Sequence, residues 1–283
     1  INRDWLFTMP GAEPMAVNIP HTWNNIDGQD GGNDYRRCEC VYEKSFKKPE
    51  FSYSELCFIE FNGVNSECEV FLNGEKVISH EGGYSTFRAD ITKLLKDENT
   101  LTVKVTNAPN DRVYPQKADF TFYGGIYRDV NFIIVPETHF ELCHFGTPGI
   151  KVTAKPVEGY KKAEVEVETW HNGKEVEITV AGETKKVERA AKFIIENVRL
   201  WNGIEDPYLY TASAKLNSGD EVSTRFGVRD FHYHAKTGFY LNGKAYPLHG
   251  VSRHQDRKGL GNAITKEMHK EDMDIICEMG ANT

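Results

Sequence analysis

Hydrophobic and polar residues alternate with a period of two along most of the chain. In residues 162–170, KAEVEVETW, small and β-branched residues alternate with glutamates, and residues 99–107, NTLTVKVTN, repeat the pattern. This alternation predicts strands with one buried face and one face in water. We therefore expect the glutamates of 162–170 to lie on a solvated sheet face rather than in a functional site.

Turn signals separate the predicted strands. Asn-Gly pairs follow CEVFL, VEVETWH and GFYL, at Asn73-Gly74, Asn172-Gly173 and Asn242-Gly243. Asparagine and glycine tolerate the positive φ of a type I′ turn, so each pair predicts a two-residue hairpin. Many short strands joined in this way are typical of β-sandwiches. Before residue 264, only ADITKLLK (89–96) suggests a helix, of one or two turns.

The strand pattern is interrupted twice. Near IIVPETHFELC (133–143) a strand ends at a proline, and near RFGVRDFHYH (225–234) a second alternating region ends. We expect residues 1–137 to form a jelly-roll-sized sandwich. Residues 138–231 have the length of an immunoglobulin-like sandwich.

The segment from 232 to 283 has a different pattern. AYPLHGV (245–251) predicts a short apolar strand, and KEMHKEDMDIICEM (266–279) predicts a helix. Thr265 can cap the first turn of this helix with its hydroxyl, and Gly280 suits the position that follows the last turn.

Residues 281–283, Ala-Asn-Thr, would begin another strand. A strand, a helix and a second strand form the repeating unit of a parallel sheet. Because one such unit cannot bury its own apolar face, we expect residues 232–283 to be the truncated start of a (β/α)8 barrel. The chain would then be a piece of a longer protein.

Charge and composition narrow the classes of partner. The formal net charge is −8, and a negative chain lacks the basic face that a nucleic acid needs. No apolar run approaches the roughly 20 residues that cross a membrane. We expect no nucleic acid and no membrane as partner, and a cytoplasmic location, or a periplasmic or secreted one if a signal peptide has been removed.

The six cysteines lack the spacing of a zinc site. We interpret them as small buried hydrophobic residues in a reducing compartment. A disulfide would be compatible with export.

Four stretches resemble, in order, the N-terminal portion of the family 2 glycoside hydrolases, and most closely the β-galactosidases. They are FNGVNSECEVFLNGEKVISHEGGYSTFRADITKLLK (61–96), PNDRVYPQKADFTFYGGIYRDV (109–130), LWNGIEDPYLYTA (200–212) and GFYLNGKAYPLHGVSRHQDRKG (238–259). The resemblance implies an all-β fold class: a sugar-binding-like jelly roll over 1–137, an immunoglobulin-like β-sandwich over 138–231 and the start of a TIM barrel.

The resemblance also implies an activity for the parent protein. Family members hydrolyse β-glycosides with retention, which needs two carboxylates about 5 Å apart. Both catalytic glutamates lie on later barrel strands in the family, beyond Thr283, so we expect no catalytic residue here and no activity from this chain alone. We expect a parent β-galactosidase that hydrolyses terminal β-D-galactosides in carbohydrate metabolism.

Two alternatives to the β-galactosidase stay open. One is a β-glucuronidase or another family 2 glycosidase. The other belongs to a different class: a non-catalytic carbohydrate-binding module or adhesin, since sandwiches also host such sites.

The resemblance assigns four candidate substrate-binding residues. Asp119 in ADFTFYGGI matches an aspartate that reaches the active site, where it contacts galactose hydroxyls and a monovalent cation. Arg253 and His254 in GVSRHQD match an Arg-His pair after the first barrel strand. Gln255 stands where many relatives carry glutamate, which weakens that match. Asn33 in GGNDYRR lies where some relatives place a galactose-contacting asparagine.

Other expectations concern structural residues, ions and assembly. His21 and Trp23 in IPHTWNN resemble an early family motif, and we interpret Trp23 as a packed core residue. His249 is expected to be structural. The resemblance implies no cofactor in this part of the chain, with Na+ and Mg2+ in the full-length enzyme. The implied partner is a β-galactoside or related glycan, and the full-length enzyme is expected to be a homo-oligomer.

Overall fold

A computed structural model describes residues 1–27, 36–114 and 121–283 of the chain. These residues fall into two compact units. The first unit comprises residues 1–134 and 253–272, and the second comprises residues 135–252 and 273–283.

Strands β1 to β11 carry the first part of the chain. Their bounds are Trp5–Thr8, Met15–Val17, Glu39–Lys47, Glu55–Phe61, Val64–Asn65, Glu67–Leu72, Glu75–Glu81, Phe87–Asp90, Glu98–Thr106, Gly125–Ile126 and Val130–Pro136. The sheet β2-β1-β3-β9-β6-β7 has six strands, and β11-β4-β8 has three.

Both of these sheets contribute to one hydrophobic core. Trp5, Tyr42 and Leu101 come from the larger sheet, and Ile59 and Phe61 from the smaller one, and all five are fully or almost fully buried. Two sheets that share a core in this way form a sandwich. The short pair β5–β10 forms a separate two-stranded sheet. Strand β5 ends at Asn65, and β10 directly follows residues 121–124.

The second unit contains a further sandwich. Strands β12 to β18 span Ile150–Val157, Lys162–Thr169, Val176–Val180, Glu183–Val187, Ala190–Glu196, Tyr210–Leu216 and Glu221–Phe226. The sheet β12-β13-β16 and the sheet β15-β14-β17-β18 share a core that includes Val165, Ile178 and Phe193. Glu164 and Glu166 are exposed while Val165 and Val167 are buried, so the predicted alternation is confirmed.

Two of the three predicted Asn-Gly hairpins form. Asn73 and Gly74 have φ of 54° and 86°, and Asn242 and Gly243 have φ of 50° and 77°, as a type I′ turn requires. The short 3-10 helix Thr92–Leu94 matches the weak helical signal in 89–96.

The hairpin predicted at Asn172-Gly173 is wrong. The strands on either side, β13 and β14, belong to different sheets, so this segment crosses between sheets. The Asn172 side chain accepts a hydrogen bond from the His139 amide at 2.8 Å and donates one to the Glu137 carbonyl at 2.7 Å, which ties the crossing to another loop. Another hairpin forms at Ala181-Gly182, where φ is 49° and 87°, although this turn contains no Asn-Gly pair.

The segment after the second sandwich begins with a small antiparallel sheet. Its strands β19, β20 and β21 are Phe231–His234, Gly238–Leu241 and Lys244–Ala245. The strand predicted over 245–251 is therefore wrong beyond Ala245, and residues 281–283 form no strand either. The two segments are linked to each other by two backbone hydrogen bonds of 2.9 Å. The Asn282 amide donates to the His249 carbonyl, and the Val251 amide donates to the Thr283 carbonyl, but neither 246–251 nor 281–283 is part of a strand.

The predicted helix is confirmed, ending one residue earlier than expected. Helix α1 spans Lys266–Glu278 and is the only α-helix in the described part of the chain. The Thr265 hydroxyl accepts a hydrogen bond from the Met268 amide at 3.4 Å. Gly280, at φ of 88°, completes a C-terminal cap in which the Ala281 amide bonds to the Ile276 carbonyl.

The all-β sandwich class is confirmed. The domain boundaries at 137/138 and 231/232 stay predictions, as does the barrel start. Cys40, Cys57 and Cys68 are buried as expected, whereas Cys143 and Cys277 are exposed, so the burial expectation is wrong for those two. Within the described ranges, no helix combines the length and apolar character needed to cross a bilayer.

Candidate functional site

A cavity of about 290 Å3 opens in the first unit. Its walls come from segments that are distant in sequence. One wall carries Asn65, Tyr84, Thr121 and Tyr123, and the other carries Asn262 and the loop residues Arg253, His254, Gln255 and Asp256. Amides, hydroxyls, an imidazole and two phenol rings therefore line one concave space. A concave space with several convergent polar groups is a candidate small-molecule site.

The segment that carries Thr121 and Tyr123 is held by residues of the HTWN motif. The Thr22 hydroxyl donates to the Gly124 carbonyl at 2.7 Å, and the Asn24 carboxamide accepts from the Gly124 amide at 2.8 Å. A Cβ at Gly124 would overlap the Trp23 indole, so only glycine permits this approach. Trp23 itself packs against the sandwich core, as the sequence predicted.

Hydrogen bonds made by Asn65 and Tyr123 connect the segments that line the cavity. Asn65 ends strand β5 and is buried, and its side-chain amide donates to the Tyr123 carbonyl. The Tyr123 hydroxyl donates across the cavity to Asp256 Oδ2 at 3.0 Å. A buried amide with a satisfied hydrogen bond fixes the position of its partner, because leaving either group unpaired is costly.

The second wall is the loop that precedes helix α1. Gly261 allows it to pass close to the first wall: its φ is 57°, and a Cβ there would lie 2.7 Å from the Tyr123 ring. Asn25 donates to the Gly259 carbonyl at 2.6 Å. The loop is therefore bonded to Asn25, next to the HTWN motif, and passes close to the Tyr123 ring of the first wall.

Charges on this wall are arranged around Asp272 of α1. Arg253 donates to it through Nε at 2.9 Å and also through Nη2, and Arg257 donates through Nη2 at 2.6 Å. The two guanidinium groups, Arg253 first, hold the pKa of Asp272 below its ordinary range. The Asp272 carboxylate therefore neutralises part of the positive charge beside the cavity.

Burial alters the pKa values of two tyrosines near the cavity. It raises the pKa of Tyr84 above its ordinary value, and it raises the pKa of Tyr127 to about 12. Tyr127 donates its hydroxyl hydrogen to the Gly83 carbonyl at 2.6 Å, which supports the backbone next to Tyr84. Both phenols remain protonated at neutral pH, so Tyr84 can donate a hydrogen bond to a bound hydroxyl group.

Two family models match most of the chain. The model described as glycosyl hydrolases family 2, sugar binding domain, matches residues 12–136, and the model described as glycosyl hydrolases family 2 matches residues 147–229. The chain belongs to family 2 of the glycosyl hydrolases.

Relatives of this family 2 chain carry two kinds of name. A β-glucuronidase of Bacteroides fragilis is 34% identical, over all of this chain and 45% of the relative. A β-galactosidase of Thermoanaerobacter pseudethanolicus is 26% identical, over all of this chain and 40% of the relative. The crystal structure of an FMN-binding β-glucuronidase from F. prausnitzii L2-6 superimposes with a TM-score of 0.94 and 39% identity, over all of this chain and 47% of that one. The family 2 chain thus spans less than half the length of these relatives.

The four predicted site residues have different outcomes. His254 and Arg253 both line the cavity. Asp119 and Asn33 lie outside the described residues, at 115–120 and 28–35. The roles assigned to all four stay predictions. Gln255, the departure from the family pattern, accepts a long hydrogen bond from Arg128 at 3.4 Å.

Sequence reasoning missed several residues of the cavity. Asn65, Tyr84 and Asp256 carry no signal of their own, because each is polar in a strand or loop where polar residues are ordinary. Only their place inside the resembling stretches 61–96 and 238–259 could have drawn attention to them.

The expected Na+ and Mg2+ stay predictions for the full-length enzyme. The proposed ligand Asp119 lies outside the described residues. Among the residues that the structure describes, no group of three or more His, Cys, Asp or Glu side chains could hold a metal ion.

Proposed function

We propose that this family 2 chain is the N-terminal, non-catalytic part of a retaining β-glycosidase. The observation that carries the proposal is the cavity itself, in which the first sandwich and the loop before α1 contribute facing walls. Because the sandwich and the loop line the same cavity, both can contact one bound ligand. The pair of catalytic carboxylates would come from the part of the enzyme that this chain does not include.

The cavity walls suit a sugar. The carboxamides of Asn65 and Asn262 and the hydroxyl of Thr121 offer both donors and acceptors, as vicinal hydroxyl groups require. The phenol ring of Tyr84 is half exposed and adds a flat apolar surface of the kind that packs against the C–H face of a pyranose ring.

We propose a terminal β-D-galactoside as the substrate. The ADFTFYGGIYRDV stretch resembles the β-galactosidases, and the charge at the cavity supports a neutral sugar. Arg253 is the one cationic side chain among the described lining residues, and its guanidinium is already paired with Asp272. A uronic acid carboxylate would need an uncompensated cation.

A β-D-glucuronide is the second candidate, and two of the relatives reported above favour it. The 34% identical protein of B. fragilis and the 39% identical crystal structure are both named β-glucuronidases. In that case the cation that binds the carboxylate would be supplied by the part of the enzyme that lies outside this chain.

Hydrolysis of matched substrates separates these candidates. The full-length enzyme is assayed with p-nitrophenyl β-D-galactoside and p-nitrophenyl β-D-glucuronide, and residues 1–283 are assayed alone at the same concentration. We expect the full-length enzyme to prefer the galactoside and the shorter chain to hydrolyse neither. Preference for the glucuronide would show that the proposed substrate is wrong, while the proposed reaction, hydrolysis of a β-glycoside, would stand.

Two results would overturn the enzyme proposal. One is a full-length protein that hydrolyses neither glycoside but binds galactose, which would indicate a carbohydrate-binding module or adhesin. The other is robust turnover by residues 1–283. Size-exclusion chromatography with light scattering on the same full-length sample tests the proposed homo-oligomer.

A further inference from the structure

Contacts hold the loop 253–257 on both sides of His254. On the N-terminal side, Arg253 is bonded to helix α1. On the C-terminal side, Gln255 accepts from Arg128 at 3.4 Å, and Asp256 accepts from Tyr123 at 3.0 Å. The backbone that carries His254 is therefore fixed by its neighbours before any ligand arrives.

Arg257 completes the anchoring of the loop. It donates to Asp272 Oδ1 at 2.6 Å, to the Met268 carbonyl at 3.0 Å and to Glu271 Oε2 at 2.8 Å. Asp272 is the residue that both loop arginines share: Oδ2 accepts from Arg253 and Oδ1 accepts from Arg257. One carboxylate thus joins the first and last residues of the loop to the helix.

The two ion pairs of Asp272 are more enclosed than the Arg257–Glu271 pair on the same helix. The side chains of Arg253, Arg257 and Asp272 are 19%, 27% and 24% exposed, whereas that of Glu271 is 61% exposed. Pairs with two bonds to one carboxylate and limited solvent contact hold geometry far better than exposed single pairs. Asp272 and Glu271 therefore offer a matched comparison on adjacent residues.

The guanidinium of Arg253 is also engaged on its remaining nitrogen. Its Nη1 lies 3.1 Å from Nδ1 of His269. Because arginine can only donate, His269 must accept through Nδ1 and carry its hydrogen on Nε2. Burial, and then the charge of Arg253, lower the pKa of His269, which favours the neutral ring that this contact needs.

We propose that Asp272 is a positioning residue of the candidate site: by joining Arg253 and Arg257 to helix α1, it fixes the loop 253–257 and thereby the place of His254 in the cavity wall. Arg253 then acts on the site through the loop. The inference rests on the proposed glycosidase function, and it assigns a role to a helix residue that does not line the cavity.

A double-mutant cycle in the full-length enzyme tests this. The variants are Asp272→Asn, which keeps the shape and removes the charge, His254→Ala, and both together, with Glu271→Gln as the matched control. We expect Asp272→Asn to lower kcat/KM for the preferred aryl glycoside by about 10- to 100-fold, mainly through kcat, because misplacement of a group by about 1 Å has this effect. Glu271→Gln should change kcat/KM by less than about threefold.

The coupling between the Asp272→Asn and His254→Ala substitutions distinguishes a positioning role of Asp272 from a general effect on stability. If Asp272 acts through His254, adding Asp272→Asn to His254→Ala should lower kcat/KM by less than about threefold more. Additive losses, or equal losses in Asp272→Asn and Glu271→Gln, would overturn the proposal. Asp272→Glu, which keeps the charge, should recover part of the activity.

A second measurement separates failure of this inference from failure of the proposed function. The imidazole signals of His254 are recorded by NMR in the 283-residue chain and are assigned with His254→Ala. Asp272→Asn should shift or broaden these signals, and Glu271→Gln should leave them unchanged. Unchanged signals in Asp272→Asn would overturn the positioning role whatever the enzyme hydrolyses, and an inactive wild-type enzyme with shifted signals would overturn only the function.

Discussion

The Tyr123 hydroxyl donates a 3.0 Å hydrogen bond to Asp256, a residue 133 positions further along the chain. This single contact joins the segment that leads into β10 to the loop that leads into α1. It makes the cavity a feature of the folded first unit, since neither segment alone encloses it. The resemblance to a known family placed both segments near a sugar and gave no information about their contact.

Replacing Tyr123 by phenylalanine should therefore destabilise the first unit. The Tyr123→Phe variant keeps the ring and leaves the Asp256 carboxylate without this donor. Hydrogen bonds to charged groups contribute about 1.5–3 kcal/mol, and partial solvation here favours the lower end. We expect a loss of about 1–2 kcal/mol in the free energy of unfolding, measured by urea denaturation.

The control for this measurement is Tyr53→Phe. Tyr53 is fully exposed, so loss of its hydroxyl should change the free energy of unfolding by less than about 0.5 kcal/mol. Equal effects of the two substitutions would show that the Tyr123–Asp256 bond contributes nothing to stability.

A methyl group at Gly124 should be poorly tolerated. It would overlap the Trp23 indole, which is packed against the sandwich core and cannot move away freely. Overpacking of this kind costs about 1–3 kcal/mol, so Gly124→Ala should lower the free energy of unfolding by that amount. Gly250→Ala is the comparison, because its nearest neighbour would lie at an ordinary 3.5 Å. A Gly124→Ala protein as stable as Gly250→Ala would contradict this packing.

His21 should make the first unit sensitive to mild acid. Its Nδ1 lies 2.7 Å from the Tyr42 hydroxyl, and burial lowers its pKa from 6.5 to about 4. The unfolded chain binds this proton more readily than the folded one between those values. The contribution of His21 is therefore complete above about pH 6.5 and is lost as the pH falls towards 4.

The pH dependence can be measured against a variant without the titrating group. Between pH 7 and pH 4.5 the wild type should lose about 2–3 kcal/mol of unfolding free energy more than His21→Gln, as follows from the shift in pKa. Urea denaturation at several pH values gives both curves. Parallel curves would show that His21 titrates equally in the folded and unfolded states.

The C-terminal half of helix α1 should exchange its amide hydrogens faster than the sandwich core does. Asp272 anchors the helix at its middle, while Met273 and Ile275 are exposed in its C-terminal half and Met279 is exposed just after its end. Few buried contacts mean a low local opening free energy. We expect the amides of 274–278 to exchange faster than those of Val103 and Val105 in the sandwich core. Equal protection in a demonstrated monomer would contradict this.

Sequence patterns correctly predicted those elements that depend only on interactions between residues close together in the sequence. The alternation of 162–170, the cap at Thr265 and the glycine at 280 each require only their immediate neighbours. The Asn172-Gly173 turn was predicted wrongly because the asparagine side chain bonds to a distant loop rather than shaping its own backbone. The strand expected over 245–251 is largely missing because strand pairing depends on residues far away in the sequence.

The candidate site was only partly predictable for the same reason. Arg253 and His254 could be named from a motif, but the partner of Arg253 is Asp272, a polar residue on a helix face where charge is ordinary. Asn65, Tyr123 and Asp256 become parts of one wall only through contacts between distant segments.

The activity of the His254→Ala full-length enzyme tests the central claim most directly, which is that this chain contributes a wall to a glycosidase active site. His249→Ala is the control, since His249 precedes the loop and does not line the cavity. We predict that kcat/KM for the preferred aryl β-glycoside falls by about 100-fold or more in His254→Ala, as when a group that stabilises developing charge is removed, and changes by less than about threefold in His249→Ala. A His254→Ala enzyme as active as the wild type would contradict the account.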